Sequence, residues 1–306
     1  MGTPDFAVES LKILVENKYN VVGVITMPDK PAGRGHKVQY SAVKQYALDN
    51  NLTLLQPEKL KDDAFIAELR ALQADVQVVV AFRMLPEVVW NMPRFGTFNL
   101  HASLLPQYRG AAPINWAIIN GEQETGATTF FLTHEIDTGK IILQEKTPIS
   151  KTDDAGTVHD KLMVMGAGMV KRTIDLLIAG KTDAVDQAQF IQNETVLKAA
   201  PKIFKDTCEI NVSKNVTEAY NFVRGLSPYP TAWIEVLFPG QSEKTVLKVY
   251  KTETEVCEHN ETIGNMITDG KKFAKIALSD GYLHLTQIQA PGKKRMDIGE
   301  FLRGMR

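Results

Sequence analysis

Three observations predict an α/β protein with a mostly parallel sheet, followed by a smaller β-rich domain. Over the first two thirds, short β-branched runs alternate with segments of helical period, the signature of βαβ units. Beyond about residue 199 the alternation gives way to short strands set off by Pro239-Gly240, Asp269-Gly270, Asp280-Gly281 and Pro291-Gly292, a spacing that suits a small barrel or sandwich. The length, 306 residues, is that of two domains of roughly 150 each.

The strands expected in the first part are Val21–Thr26, Leu52–Leu55, Val76–Phe82, Thr97–Leu100, Thr128–Leu132 and Ile141–Glu145. Between them Ala7–Asn17, Ser41–Asn50, Asp62–Leu72, Pro113–Ile119 and Thr157–Ala179 read as helices, the last closed by Gly180 as a C-terminal cap. Ala199-Ala200-Pro201 breaks the chain. Val216–Gly225 then reads as one helix, ahead of strands at Ala232–Phe238, Thr245–Tyr250, Lys275–Leu278 and Tyr282–Gln287. At the beginning, Gly2-Thr3-Pro4 is a turn of the kind that follows a first strand, yet only Met1 precedes it. A doubly wound sheet usually places its first strand centrally, so either the fold begins differently or the true start lies upstream.

Composition narrows the classes. With 44% hydrophobic and 23% charged residues the chain is an ordinary globular one. The 35 Lys and Arg against 36 Asp and Glu leave a formal charge of −1, so no global field draws it to a polyanion or an anionic membrane. Nor is the balance local: 14 basic residues face 13 acidic ones in 205–306, and 21 face 23 in 1–204. Cys208 and Cys257 fit no metal spacing and are too few for a disulfide framework, which favours a reducing compartment. No apolar run is long enough for a membrane span, and no basic-then-apolar leader opens the chain, so a cytoplasmic protein is expected.

Three segments carry candidate chemistry. In Phe98-Asn99-Leu100-His101, residues Asn99 and His101 are two apart at the end of a strand. They therefore share a face at the edge where open α/β sheets bind ligands. An amide donor beside an imidazole suits stabilisation of an oxyanion, although the same spacing suits a hydrogen-bonded pair with no chemistry. His134-Glu135-Ile136-Asp137-Thr138-Gly139 is a polar knot between two strands, in which Asp137 is equally suited to forming the turn. Its spacing sets no metal ligands on one face. The long, Gly- and Pro-rich segment 27–37 holds Lys30, Arg34 and Lys37 against Asp29, a composition that grips phosphates or is simply a solvated loop. No dinucleotide or triphosphate glycine motif is present.

Six stretches of the chain resemble the methionyl-tRNA formyltransferase family across essentially its whole length. They are Met1–Ala7, Asp29–Gly35, Phe98–Pro113, His134–Gly139, Leu226–Trp233 and Gly292–Gly304. The Asn-x-His, Ser-Leu-Leu-Pro and later Asp pattern is common to folate-dependent formyltransferases, and the basic segment with the C-terminal domain selects the tRNA enzymes. The resemblance implies a Rossmann-like formyltransferase domain over 1–198, a linker over 199–208 and an OB-like tRNA-binding domain over 209–306. It implies 10-formyltetrahydrofolate as formyl donor, methionyl-initiator tRNA as acceptor, no metal and a monomer. By motif, Asn99, His101 and Asp137 are the catalytic three, with Asn99 and a protonated His101 donating to the oxyanion and Asp137 orienting the imidazole and relaying a proton. Ser103, Leu104, Leu105 and Pro106 match the folate-binding segment, with Phe82 and Met84 on the opposite wall. Arg83 stands there where the family commonly carries glycine. Lys30, Arg34 and Lys37 are implied to steer the acceptor end of the tRNA, with Lys205, Lys293, Lys294 and Arg295 against its backbone. A formyltransferase for a small amine such as a nucleotide-linked amino sugar, and a catalytically silent RNA-binding protein, are the competing readings.

Overall fold

The computed structural model describes residues 1–32, 37–191, 196–239 and 241–305. In chain order the elements are α1 (Asp5–Glu16), β1 (Val24–Ile25), β2 (Lys30–Ala32), β3 (Lys37–Gln39), α2 (Ala42–Asp49), β4 (Leu54–Leu55), α3 (Asp63–Ala71), β5 (Gln77–Val80), α4 (Glu87–Trp90), β6 (Thr97–His101), β7 (Arg109–Gly110), α5 (Pro113–Ile119), β8 (Glu124–Phe131), β9 (Ile141–Pro148) and α6 (Ala155–Ile178). There follow β10 (Ala199–Ala200), α7 (Val216–Leu226), β11 (Ala232–Val236), β12 (Thr245–Val256), β13 (Met266–Thr268), β14 (Ala274–Leu278), β15 (Gly281–Gln289), β16 (Met296–Asp297) and α8 (Ile298–Arg303). Packing divides the chain into two compact units. One comprises Met1–Gly110, Gly126–Thr147 and His159–Ala199; the other comprises Ala111–Thr125, Pro148–Val158 and Ala200–Arg306.

In the first unit β1 pairs in parallel with β4, and β5 in parallel with β6. The parallel expectation stops there, because β8 runs antiparallel to β6, with His101 opposite Thr128. Beyond β8 lies β9, joined to it across a turn in which Phe131 N donates to Lys140 O at 3.0 Å. Val- and Leu-rich strands bury Ile25, Leu55 and Val79 against Phe65 and Leu69 of α3. Ser41 and Asp62 cap α2 and α3 by accepting from the amides of Lys44 and Ala64. At the far end of α6, Gly180 adopts φ +64°, the left-handed cap expected of it.

Met1 and Gly2 lie between β1 and β5. Met1 N donates to Val78 O at 2.7 Å, Val80 N to Met1 O at 2.9 Å, and Gly2 N to Ile25 O at 3.0 Å. Elsewhere the two strands flank an apolar cavity of about 430 Å³, lined among others by Leu14, Val22, Leu72, Val76, Ile174 and Leu177. The strand expected over Val21–Thr26 is observed over Val24–Ile25, where β4 pairs with it.

In the second unit a capping box of Asn215 and Glu218 opens α7, whose Val216, Ala219, Val223 and Leu226 pack into the core of an antiparallel sheet ordered β11-β12-β15-β14-β13. The sheet is OB-like, with β16 added to β15, and its register slips around Tyr250. This bulge carries β12 through to Val256, beyond the Tyr250 end expected from the sequence. From the middle of the chain α5 packs on α7, and Asn115 Nδ2 donates to Gly225 O at 2.8 Å. Cys208 is buried in this core, and burial pushes its thiol pKa up. Among the described residues no helix is long and apolar enough to cross a membrane.

Candidate functional site

β6 delivers Asn99 and His101 to one face at its C-terminal end, as alternation along a strand requires. His101 is 7% exposed, and its Nε2 lies 2.8 Å from Tyr108 O. A carbonyl only accepts, so this nitrogen carries a proton and fixes the ring. The other nitrogen, Nδ1, faces Asp137 Oδ2 at 3.8 Å, a pair inside ion-pair range but longer than a hydrogen bond. Phe130 packs edge-on against the imidazole, 6.4 Å between centroids. Asn99 Oδ1 is buried and has no hydrogen-bond partner, an uncommon state for a buried acceptor and one that marks the strand end as chemically unfinished.

Asp137 approaches from the turn between β8 and β9, with φ +55°. Its Oδ2 accepts from Gly110 N at 2.9 Å. His134 points elsewhere, to Glu87 at 3.7 Å and the Trp90 ring, so it does not join Asp137. Two residues of this neighbourhood escaped sequence reasoning. Gln187 donates to the carbonyls of Asp137 and Gly139, and Arg109 in turn donates to Gln187. Partners so far apart in the chain leave no local motif.

Ser103 to Pro106 form a rigid wall. Thr128 Oγ1 donates to Ser103 O at 2.7 Å and accepts from Leu105 N at 3.2 Å, while Gln144 Nε2 donates to Leu105 O at 2.8 Å. Leu105 is buried with Phe130 and Ile141, and Leu104 is half-buried. On the side expected to oppose this wall, Phe82 packs against the core and Met84 is 69% exposed. Arg83 turns away to tie down the preceding loop, donating to Glu58 O at 2.7 Å and to Pro57 O. Burial pulls the guanidinium pKa down from its ordinary value. Replacing Arg83 by alanine is expected to lower stability by about 1–3 kcal/mol, the range for losing charge-assisted hydrogen bonds, measured by urea unfolding. An unchanged midpoint would contradict the tie.

The basic segment is a hairpin base rather than an unstructured loop: Lys30 opens β2 and Lys37 opens β3, paired antiparallel, while Arg34 lies outside the described residues. Hydrogen bonds from Lys44 and Gln56 engage Asp29 and hold its carboxyl pKa below the ordinary value. The acid of the segment is thereby neutralised by a residue outside it. In the second unit Lys205, Lys293 and Lys294 are exposed. Arg295 lies over the Tyr250 ring and donates to Gln287 at 2.7 Å.

An amide and an imidazole at the end of a sheet strand, with a carboxylate behind the imidazole, suit an α/β group-transfer enzyme that stabilises an oxyanion. The formyl transferase family model matches residues 1–174, and the model of the formyl transferase C-terminal domain matches 202–306. The chain is 64% identical over 307 aligned residues to the methionyl-tRNA formyltransferase of Parabacteroides distasonis, covering 100% of this chain and 94% of that one. It is 52% identical to that of Flavobacterium psychrophilum, covering 100% and 95%. Among solved structures, the N-formyltransferase from Helicobacter canadensis in complex with folinic acid and dTDP-3-aminofucose aligns with a TM-score of 0.68 at 22% identity. It covers 94% of this chain and 97% of that one, a likeness of fold. The chain belongs to the formyltransferase family, among the methionyl-tRNA formyltransferases.

Proposed function

We propose that the protein transfers the formyl group of 10-formyltetrahydrofolate to the free amino group of methionyl-initiator tRNA, giving N-formylmethionyl-tRNA for translation initiation. The observation that carries this reading is identity of 52% and 64% running over the whole chain to relatives that bear the methionyl-tRNA formyltransferase name. The co-substrate supplies the formyl carbon, whose oxygen gains negative charge as the amine adds. Asn99 donates to that oxygen from the end of β6, and a protonated His101 does so when its Nε2–H exchanges the Tyr108 carbonyl for the oxyanion. Asp137, anchored by the Gly110 amide, sets the imidazole and passes the proton from the incoming amine to N10 of the donor, so that the formyl C–N10 bond breaks and tetrahydrofolate leaves as the oxyanion collapses. The unpartnered Asn99 Oδ1 and the rigid Ser103–Pro106 wall suit a ligand with polar hydrogens and a flat apolar face. The reading calls on no metal.

The catalytic half is 1–198, the linker 199–208 and the tRNA-binding half 209–306, acting as a monomer in the cytoplasm. Lys30, Arg34 and Lys37 steer the acceptor end, and Lys205, Lys293, Lys294 and Arg295 meet the tRNA backbone. A charge of −1 predicts few phosphate contacts and a moderate salt slope. The test is formylation of charged initiator tRNA, compared with the same tRNA carrying a paired first acceptor base pair and with an amino-sugar nucleotide. Only the first is expected to be a good acceptor. Arg34→Ala is expected to raise KM for tRNA at least about tenfold, the loss of a strong charged contact, while folate affinity stays unchanged. Preferred transfer to the amino sugar, or equal losses for both substrates, would overturn the reading.

A further inference from the structure

We infer that Gln187 is a positioning residue for the reaction: it fixes the Asp137 turn so that the carboxylate stays behind His101. The inference rests on reading this site as the formyl-transfer centre. Gln187 is 2% exposed, and both ends of its amide are engaged. Its Nε2 donates to both Asp137 O and Gly139 O at 2.8 Å, and its Oε1 accepts from Arg109 Nη2 at 2.6 Å and Nε at 3.2 Å. The residue after Arg109 is Gly110, whose amide holds the Asp137 carboxylate. One dipeptide thus grips Asp137 twice, at its carboxylate directly and at its backbone through Gln187.

The segment that brings Gln187 in is itself anchored. Val185 exchanges two backbone hydrogen bonds of 2.8 Å with Ile141 at the start of β9, and Asp186 caps the following turn by accepting from Ala188 N. Asp137 needs such support, because its left-handed φ of +55° is unfavourable for a residue with a side chain. It lies 3.8 Å from His101 with no direct hydrogen bond to hold that distance. A carboxylate held behind its partner only by the Gly110 amide and by its own backbone is sensitive to any slackening of the turn. Misplacement by about 1 Å is enough to lower a rate about 10²-fold.

The test is steady-state kinetics on Gln187→Leu and Gln187→Glu in the full chain. The first removes both sets of hydrogen bonds. The second keeps Arg109 paired but sets a carboxylate oxygen against two carbonyls. Each is expected to lower kcat about 10- to 100-fold while KM for either substrate stays within about twofold, the pattern of an orienting group. In an Asp137→Asn background the same substitutions are expected to add almost nothing, because the group they orient is already lost. The amide proton of Gly110, followed by NMR, is expected to shift upfield in both variants as its bond to Asp137 lengthens. That readout needs no turnover, so it decides the positioning claim even if the acceptor or donor has been misread. Undiminished kcat, losses of equal size in the Asp137→Asn background, or an unmoved Gly110 amide in folded Gln187→Glu protein would overturn it.

Discussion

Replacing Asn99 by alanine is expected to lower kcat about 10²–10³-fold, and replacing His101 to do the same, the range for loss of one donor aimed at a developing oxyanion. The two variants separate chemistry from folding. Asn99 Oδ1 is buried without a partner, so Asn99→Ala removes an unsatisfied polar atom, and stability against urea is expected to hold or rise. His101→Ala instead orphans the Tyr108 carbonyl that its Nε2 contacts at 2.8 Å, for an expected loss of about 1–3 kcal/mol. A large fall in turnover with two opposite changes in stability is the signature of groups retained for reaction. Turnover within threefold of the parent in either variant would remove that residue from the catalytic set.

Gly139→Ala should be the most damaging single methyl group near the site. A Cβ at Gly139 would stand 1.7 Å from Phe131 O and 2.8 Å from its carbonyl carbon. Both are backbone atoms, so no side-chain rotation relieves the overlap, and the β8–β9 turn has to open. Overpacking of this kind lowers stability by about 1–3 kcal/mol and occasionally more, which urea unfolding would resolve. The same opening pulls Gly139 O from Gln187 and shifts Asp137, so kcat is expected to fall about tenfold or more in the fraction that remains folded. Parent-like stability together with parent-like turnover would show that the turn is slacker than its geometry states.

Much of the architecture is legible because local rules and tertiary packing agree. Pro113 at the first helical position marks the start of α5, and the expected range Pro113–Ile119 is the observed one. The left-handed Gly180 closes the chain's longest helix in the same way. Disagreement arises where a neighbour decides. β8 starts at Glu124 instead of Thr128 because the ladder and not β-branching sets its end. The β2–β3 pairing was hidden by Pro31 and Gly33, which read as loop. α4 and α8, of four and six residues, are too short for periodicity to declare them.

The site divides along the same line. Asn99 and His101 could be placed on one face from their spacing alone. Asp137 came forward through resemblance, since its own signature, a turn acid before Thr-Gly, is common. Gln187 had no signature at all, and Arg109, although inside the Phe98–Pro113 stretch, was given no role: their hydrogen bonds to one another and to Asp137 span 78 and 50 residues of chain. Hydrogen-bonding partners of this kind are visible only after folding has brought them together.

The make-up of the second compact unit bears on how this molecule is divided. It draws Ala111–Thr125 and Pro148–Val158 from the sequence matched by the N-terminal family model, and α5 from the first of these covers α7. A gene cut between residues 199 and 208 would therefore strand α5 with the wrong half. The severed C-terminal fragment would present the α5-facing side of α7 to water, and the Gly225 carbonyl would lose Asn115. Exchanging one half for another therefore has to preserve the α5–α7 contact, even though the two family models match separate stretches of the chain, 1–174 and 202–306.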